Sequence, residues 1–186
     1  MASLSKDDLR KIMRRRRRAL AIACPDAAKL AAQALPLERL PSFTIVAGYH
    51  PIGQELDPNP LLARLAAAGA RVALPSASPG APLVFRLVLA GDTPVTDALG
   101  IASPPPSAPV VTPDLVIAPV VAFDALGRRL GQGGGYYDRT LKALREAGGV
   151  FVIGLAYAGQ ETDAVPGEAH DQRLDAILTE KGYSEV

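Results

Sequence analysis

The chain has 186 residues, of which 48% are hydrophobic and 21% charged, enough to bury one sizeable core and too apolar for wholesale disorder. No apolar run approaches the ~20 residues needed to cross a bilayer. The arginines near the start precede no sustained apolar stretch, so no signal peptide is expected. The single cysteine, Cys24, cannot form an internal disulfide and reads as a small apolar filler at a helix end. One domain spanning residues 1–186, in a reducing cytoplasm, is the expectation.

The net charge of +1 is unevenly spread: residues 1–18 carry +6 and the remainder −5. Such a front end suits a nucleic-acid arm, a solvated helix, or the basic wall of an anionic-ligand site. Leu9, Ile12, Met13, Leu20 and Ala23 recur at helical spacing, which predicts an amphipathic helix packed on a core. Lys6 and Arg10 stand one turn apart at an edge of that face. Lys11, Arg15 and Arg18 project to the solvated side. Arg16 falls in the middle of the stripe, where it must either snorkel outward or reach an acidic partner. No aromatic residue is interleaved with the arginines for base stacking, which counts against the nucleic-acid reading.

Pro25 opens a second, alanine-rich helix to about residue 35, and residues 36–42 connect it to the first core strand, 44–49. That strand delivers His50 to Asp57 onto one end of the sheet, where α/β proteins place ligands. Glu55 there has two readings: a ligand contact, or a charge that complements the dipole of the helix predicted over 60–68. Strands follow at 71–75 and 83–89, with Arg86 opposite in direction to Phe85 and Leu87. The proline-rich stretch 103–113 reads as an ordered, extended surface crossing.

Leu115 to Ala118 is an unbroken apolar run of the kind buried on both faces of a sheet, and Pro119 ends it because proline has no N–H to donate. A glycine-rich turn, Gly127 to Gly135, then leads into a helix with Leu141 and Leu144 at helical spacing. Glycines admit close backbone approach, and the free N–H groups of a first helical turn favour an anion. The turn is no Walker A loop, since Tyr136-Tyr137-Asp138 stands where Lys and Ser/Thr would be. A tight connection with glycines at positive φ is the plain alternative. Two arginines, two tyrosines and an aspartate around one turn shift the balance toward a polyphosphate, its metal ion and a flat heterocycle. Another buried strand is expected at 150–156, with Tyr157 and Gln160 near the ligand cleft. The alternation of strands and helices predicts a three-layer α/β/α sandwich with a mainly parallel sheet.

Ala122-Phe123-Asp124, Gly127, Arg129-Leu130-Gly131, Gly133 and Gly135-Tyr136-Tyr137-Asp138-Arg139 resemble the signature of the 5-formyltetrahydrofolate cyclo-ligase (methenyltetrahydrofolate synthetase) family. Lys6-x-x-Leu9-Arg10, the loop carrying Glu55, and the closing run from His170-Asp171 through Leu174-Asp175 to Thr179-Glu180 are similar to its other motifs. The resemblance implies a NagB/RpiA/CoA-transferase-like arrangement. It also implies ATP-dependent cyclisation of 5-formyltetrahydrofolate to 5,10-methenyltetrahydrofolate through a phosphorylated formyl intermediate.

Carried over residue by residue, the resemblance assigns ATP binding to Lys6, Arg10, Arg129, Leu130, Gly131, Gln132, Gly133, Gly134, Gly135, Tyr136 and Tyr137. It assigns the folate to His50, Glu55, Gln132 and Tyr136, catalytic roles to Arg129, Tyr136 and Asp138, and Mg²⁺ to Asp138 and Asp171. Small-molecule substrates, no nucleic acid or membrane, and a monomer go with it. Three positions depart from the pattern: Ser103 replaces the glutamate of a G-I-x-E-P element, Gly134 stands where some members carry lysine, and Gln132 where some carry arginine or an aromatic. Lys6, Arg10 and Arg129 are therefore expected to supply most of the charge on the triphosphate. The rival readings are a folate- or nucleotide-binding homologue without turnover, and a nucleic-acid-binding protein using the arginine run.

Overall fold

Asp114 shows how the sheet is aligned: its Oδ2 accepts hydrogen bonds from the N–H groups of Thr44 (2.8 Å) and Ile45 (2.9 Å), tying the start of one central strand to its neighbour. The computed structural model describes residues 4–186. In chain order the elements are α1 (Lys6–Ala23), α2 (Ala27–Ala34), β1 (Ile45–Ala47), α3 (Asn59–Ala67), β2 (Arg71–Ser76), β3 (Val84–Leu87), β4 (Val95–Thr96) and β5 (Ala102–Ser103). There follow β6 (Leu115–Pro119), β7 (Ala122–Phe123), β8 (Arg129–Leu130), α4 (Tyr136–Ala147), β9 (Phe151–Leu155), β10 (Ala176–Thr179) and β11 (Gly182–Glu185). None of the described helices is long and apolar enough to cross a membrane.

Seven strands form the main sheet in the order β11-β10-β9-β6-β1-β2-β3. The inner strands, from β10 to β2, are parallel, and both edges, β3 and β11, are antiparallel. Alternate residues of β6 face opposite layers, as the period-2 geometry of a strand requires. Leu115 and Ile117 pack with α2 and α3 through Ala31, Leu61 and Leu65. Val116 and Ala118 pack on the other face with Leu141 of α4. The layering is thus α/β/α, with a mainly parallel sheet, as the alternation of elements predicts. Pro119 is the last residue of β6, opposite Leu155, where its missing N–H disrupts nothing beyond it.

Some elements differ from the sequence reading. The two-residue ribbons β4–β5 and β7–β8 and the short β11 carry too little periodicity to be legible. The inward face of α1 is turned by roughly 50°, about half a residue step: Leu9, Met13 and Arg17 are buried, whereas Ile12, Arg16 and Ala23 are exposed. Arg16 therefore neither lies in the stripe nor needs an acidic partner; Arg17 does.

Candidate active site

The direction of strand order reverses between β1 and β6: the chain leaves β1 through α3 for β2 on one side, then returns to build β6, β9 and β10 on the other. At such a switch point the loops beyond the carboxyl ends of the two strands diverge and leave a crevice. Here Tyr49 and His50 follow β1, Pro119 closes β6, and a cleft of about 330 Å³ opens between them. Its walls are mostly apolar, with Leu83, Leu99, Ile101 and the Tyr136 ring, and its polar groups come chiefly from Glu55 and the glycine-rich turn.

That turn is built by the β7–β8 ribbon. Buried Asp124 organises it: Oδ1 accepts the N–H groups of Leu126 and Arg128, and Oδ2 that of Val165. β8 thereby presents Arg129, which is 7% exposed. Its NH2 donates to Asp138 Oδ1 at 2.7 Å, and its guanidinium lies 5.8 Å from the Tyr137 ring centroid. Burial lowers the Arg129 pKa, with the Asp138 carboxylate opposing. The Arg129 Nε and the Tyr137 hydroxyl are buried without a hydrogen-bond partner among the described residues. Burial pushes the Tyr137 hydroxyl far up, so it stays protonated.

Gly135 caps the N-terminus of α4 at φ 65°, a left-handed conformation that an L residue adopts at a cost. The turn thus ends with the first N–H groups of a 12-residue helix beside Gly131 to Gly134, the arrangement that favours an anion. Gly134 has a different reason to lack a side chain: a Cβ there would stand 2.8 Å from the Tyr136 ring. The Arg139 guanidinium lies 5.1 Å from the centroid of the same ring while donating to Gly134 O.

Helix α1 closes the site from the N-terminal side. Lys6 Nζ contacts Asp171 Oδ2 at 2.8 Å and Glu168 Oε1 at 3.2 Å. Burial acts against the charged Lys6, but these bonds outweigh it and raise its pKa. Burial would likewise raise Asp171, yet the Lys6 bond and the Glu168 N–H lower it overall. Arg10 Nε donates to Gly131 O at 3.0 Å, and Arg14 NH2 donates to Gln132 Oε1 at 2.7 Å. Gln132 Nε2 in turn donates to Glu55 Oε1 at 2.6 Å, and Ile52 N–H fills Glu55 Oε2. Arg17 NH1 stands 3.7 Å from Glu55 Oε1.

A second, polar hollow of about 250 Å³ adjoins the cleft, sharing Arg129 and lined also by Arg128, Arg173, Glu168 and Asp171. Asp138 faces the cleft and Asp171 the hollow, and the Gln172 N–H donates to Asp138 Oδ1 at 2.9 Å. A cation-lined polar hollow joined to an apolar cleft can hold a polyphosphate beside a flat, largely apolar molecule.

Residues 2–180 match the 5-formyltetrahydrofolate cyclo-ligase family. The chain belongs to that family. It is 35% identical over 145 residues to the 5-formyltetrahydrofolate cyclo-ligase of Mycolicibacterium smegmatis, an overlap of 73% of each chain. With the Escherichia coli 5-formyltetrahydrofolate cyclo-ligase the identity is 37% over 131 residues, covering 67% of this chain and 71% of that one. The fold matches the Aquifex aeolicus 5,10-methenyltetrahydrofolate synthetase with a TM-score of 0.75 at 28% identity, over 98% of this chain and 93% of that one.

Against the cyclo-ligase-family signature, the structure gathers Lys6, Arg10, His50, Glu55, residues 129–138 and Asp171 around the cleft and its adjoining hollow. Leu130 is the exception in kind: it is 1% exposed and packs in an apolar cluster with Leu9 and Met13 of α1, so only its backbone can serve a ligand. Tyr157 and Gln160 do not line the cleft. Gln160 is buried, with its amide donating to Val120 O and Val121 O, and so fastens the loop after β6 to the one after β9. Ser103 is buried in β5 and lines a smaller hollow that meets the cleft at His50.

Arg14, Arg17 and Asp97 were missed in the sequence. Asp97 accepts the N–H groups of Leu99, Ile101 and Ala77, fixing the β4–β5 ribbon at the cleft mouth. The first two had a signal: Lys6, Arg10, Arg14 and Arg17 recur at spacings of four, four and three, within about 80° of the helix circumference at ~100° per residue.

Proposed function

We propose that this protein couples ATP hydrolysis to ring closure of 5-formyltetrahydrofolate, forming 5,10-methenyltetrahydrofolate, ADP and phosphate. The observation that carries this reading is the meeting of two unlike half-sites at the strand-order reversal. One is an apolar cleft holding Glu55 and Tyr136, and the other a glycine-rich turn flanked by Lys6, Arg10 and Arg129.

An amide oxygen is a poor leaving group, so the formyl oxygen first attacks the γ-phosphorus and the bond to the bridging oxygen of ADP breaks. N10 then attacks the imidate carbon and loses its proton, and the carbon–oxygen bond breaks to release phosphate. Such chemistry asks the protein to align two substrates and to neutralise charge on the moving phosphoryl group. Arg129 and Lys6 supply the charge, residues 131–135 offer backbone N–H groups to the phosphates, and Tyr136 stacks on the pterin while Glu55 accepts from its N–H edge. His50 also lines the cleft. No serine, threonine or cysteine is among the described lining residues, in keeping with a reaction that needs no protein nucleophile.

The acidic groups suit magnesium. Asp138 commits Oδ1 to Arg129 and Gln172, and no bond from the described residues reaches Oδ2; ligand atoms of Glu168, His170 and Asp171 lie within 4.8 Å of one another. Hard carboxylate oxygens with room for water match the preference of that ion. Asp138 and Asp171 would hold it with the nucleotide, where its charge would offset that of the phosphates.

Mixing the protein with ATP, Mg²⁺ and 5-formyltetrahydrofolate should produce the methenyl absorption band with one ADP per turnover. Binding of both substrates with no band would leave a non-catalytic homologue and overturn the proposal.

A further inference from the structure

Neither Arg14 nor Arg17 lines the cleft, yet both point their charge at a group that does. Arginine can only donate and an ionised carboxylate can only accept. With Arg14 donating to Gln132 Oε1, the amide has one orientation left, in which Nε2 faces Glu55. Arg17 approaches the same Glu55 oxygen from α1, 5% exposed, its Nε and NH1 making no hydrogen bond among the described residues. A buried guanidinium so poorly partnered adds little to stability. Its position is explained by what it does for the carboxylate.

We infer that Arg14 and Arg17 are positioning residues for the folate: Arg14 through the Gln132 amide, and Arg17 directly, hold the Glu55 carboxylate toward the cleft and link it to the nucleotide-side turn. The inference rests on the assignment of Glu55 to the folate. It predicts that folate affinity depends on two α1 side chains that touch no ligand, while ATP affinity depends on them far less.

The test is equilibrium binding of 5-formyltetrahydrofolate and, separately, of ATP, to wild type, Arg17→Met, Arg17→Lys, Arg14→Ala and Glu55→Gln. Arg14 gives a charge-assisted hydrogen bond and Arg17 a buried ion pair, so Arg17→Met and Arg14→Ala should each weaken folate binding about tenfold. In Arg17→Met the dissociation constant for ATP should change less than about threefold, and Arg17→Lys should restore most of the loss; Arg14→Ala, which also frees the Gln132 backbone carbonyl, should weaken ATP less than folate. In a Glu55→Gln background the effect of Arg17→Met should shrink to under about twofold, because the carboxylate it acts through is gone. Arg14 is exposed and its substitution leaves the core alone, so unchanged folate affinity in that variant refutes the route through Gln132 even if Arg17→Met fails to fold.

Equal losses for ATP and folate, or an Arg17 effect that persists without Glu55, would overturn the inference. Wild type that binds no folate would sink the proposed function along with it. Wild type that binds folate tightly while Arg14→Ala and Arg17→Met bind equally well would sink the inference alone.

Discussion

Asp138→Asn separates a catalytic from a structural carboxylate. Asp138 is paired at 2.7 Å with an Arg129 whose side chain is 3% exposed, while its own is 21% exposed. A unit charge pair about 4 Å apart is worth about 4 kcal/mol at an effective dielectric constant near 20, before desolvation of the arginine is set against it. Asparagine keeps a carbonyl oxygen that can still accept from Arg129 and from Gln172 N–H, so the net loss of stability should be about 1–3 kcal/mol. A domain of this size unfolds with on the order of 10 kcal/mol. More than 99% of the variant therefore stays folded at 25 °C, with a melting temperature lower by about 3–10 °C. Turnover should fall at least ~100-fold, the loss typical of removing one group that stabilises charge in a transition state. More Mg²⁺ should be needed for half-maximal rate. Initial rates from the methenyl band across a magnesium titration, with thermal melts on the same samples, measure both. A folded variant turning over within about threefold of wild type at saturating Mg²⁺ would refute the catalytic role and leave Asp138 a structural partner of Arg129 and the Gln172 N–H.

Lys6→Met should raise the KM for ATP about tenfold or more by removing one cation from the triphosphate site. It also has a signature in pH: the lowered Asp171 pKa contributes stability that is present above the unfolded carboxylate value near 4 and lost as pH falls through the folded one. Without Lys6 that shift diminishes, so stability measured by urea unfolding should depend less steeply on pH below about 4; an unchanged slope would contradict the pairing. Gly134→Ala places a methyl group against the Tyr136 ring and should weaken folate binding about tenfold with a melting temperature within a few degrees of wild type; unchanged binding would show that the ring is not held for the pterin. Charge reversal of the exposed Arg15 and Arg18 should leave kcat/KM within about twofold, and a large loss there would favour a polyanion on this face of α1.

Much of the fold was legible because its strands are buried on both faces: Leu115 to Ala118 needs no partner in view to be read as a central strand. The glycine-rich turn was legible as an anion site for a similar reason, since its residue types constrain the local backbone. Helix α1 was not. Drawing its inward face through Leu9, Ile12, Met13 and Ala23 assumes that only apolar residues turn inward, which centres the stripe on Arg16. The helix is rotated because Arg10 and Arg14 find acceptors on the body in Gly131 and Gln132, and Arg17 finds a counter-charge in Glu55. A single sequence shows the donors of such a helix without their acceptors.

This rotation also explains how so basic a helix stays docked. The apolar cluster beneath it is the smallest of the three, pairing Leu9 and Met13 with Val121, Ala122, Leu130 and Val165. Leu20 adds a contact against Gly159, where a side chain would collide. Leu20 and Ala21 also pack against the main apolar cluster. The other contacts are polar, and Asp171, Gly131, Gln132 and Glu55, the partners of Lys6, Arg10, Arg14 and Arg17, all lie in the proposed site. Docking α1 and assembling the site are therefore one event. Exchanging the cation stripe for leucine would leave the buried Glu55 and the part-buried Asp171 without their counter-charges, which costs stability, and would strip the cleft of the charge that its ligands require.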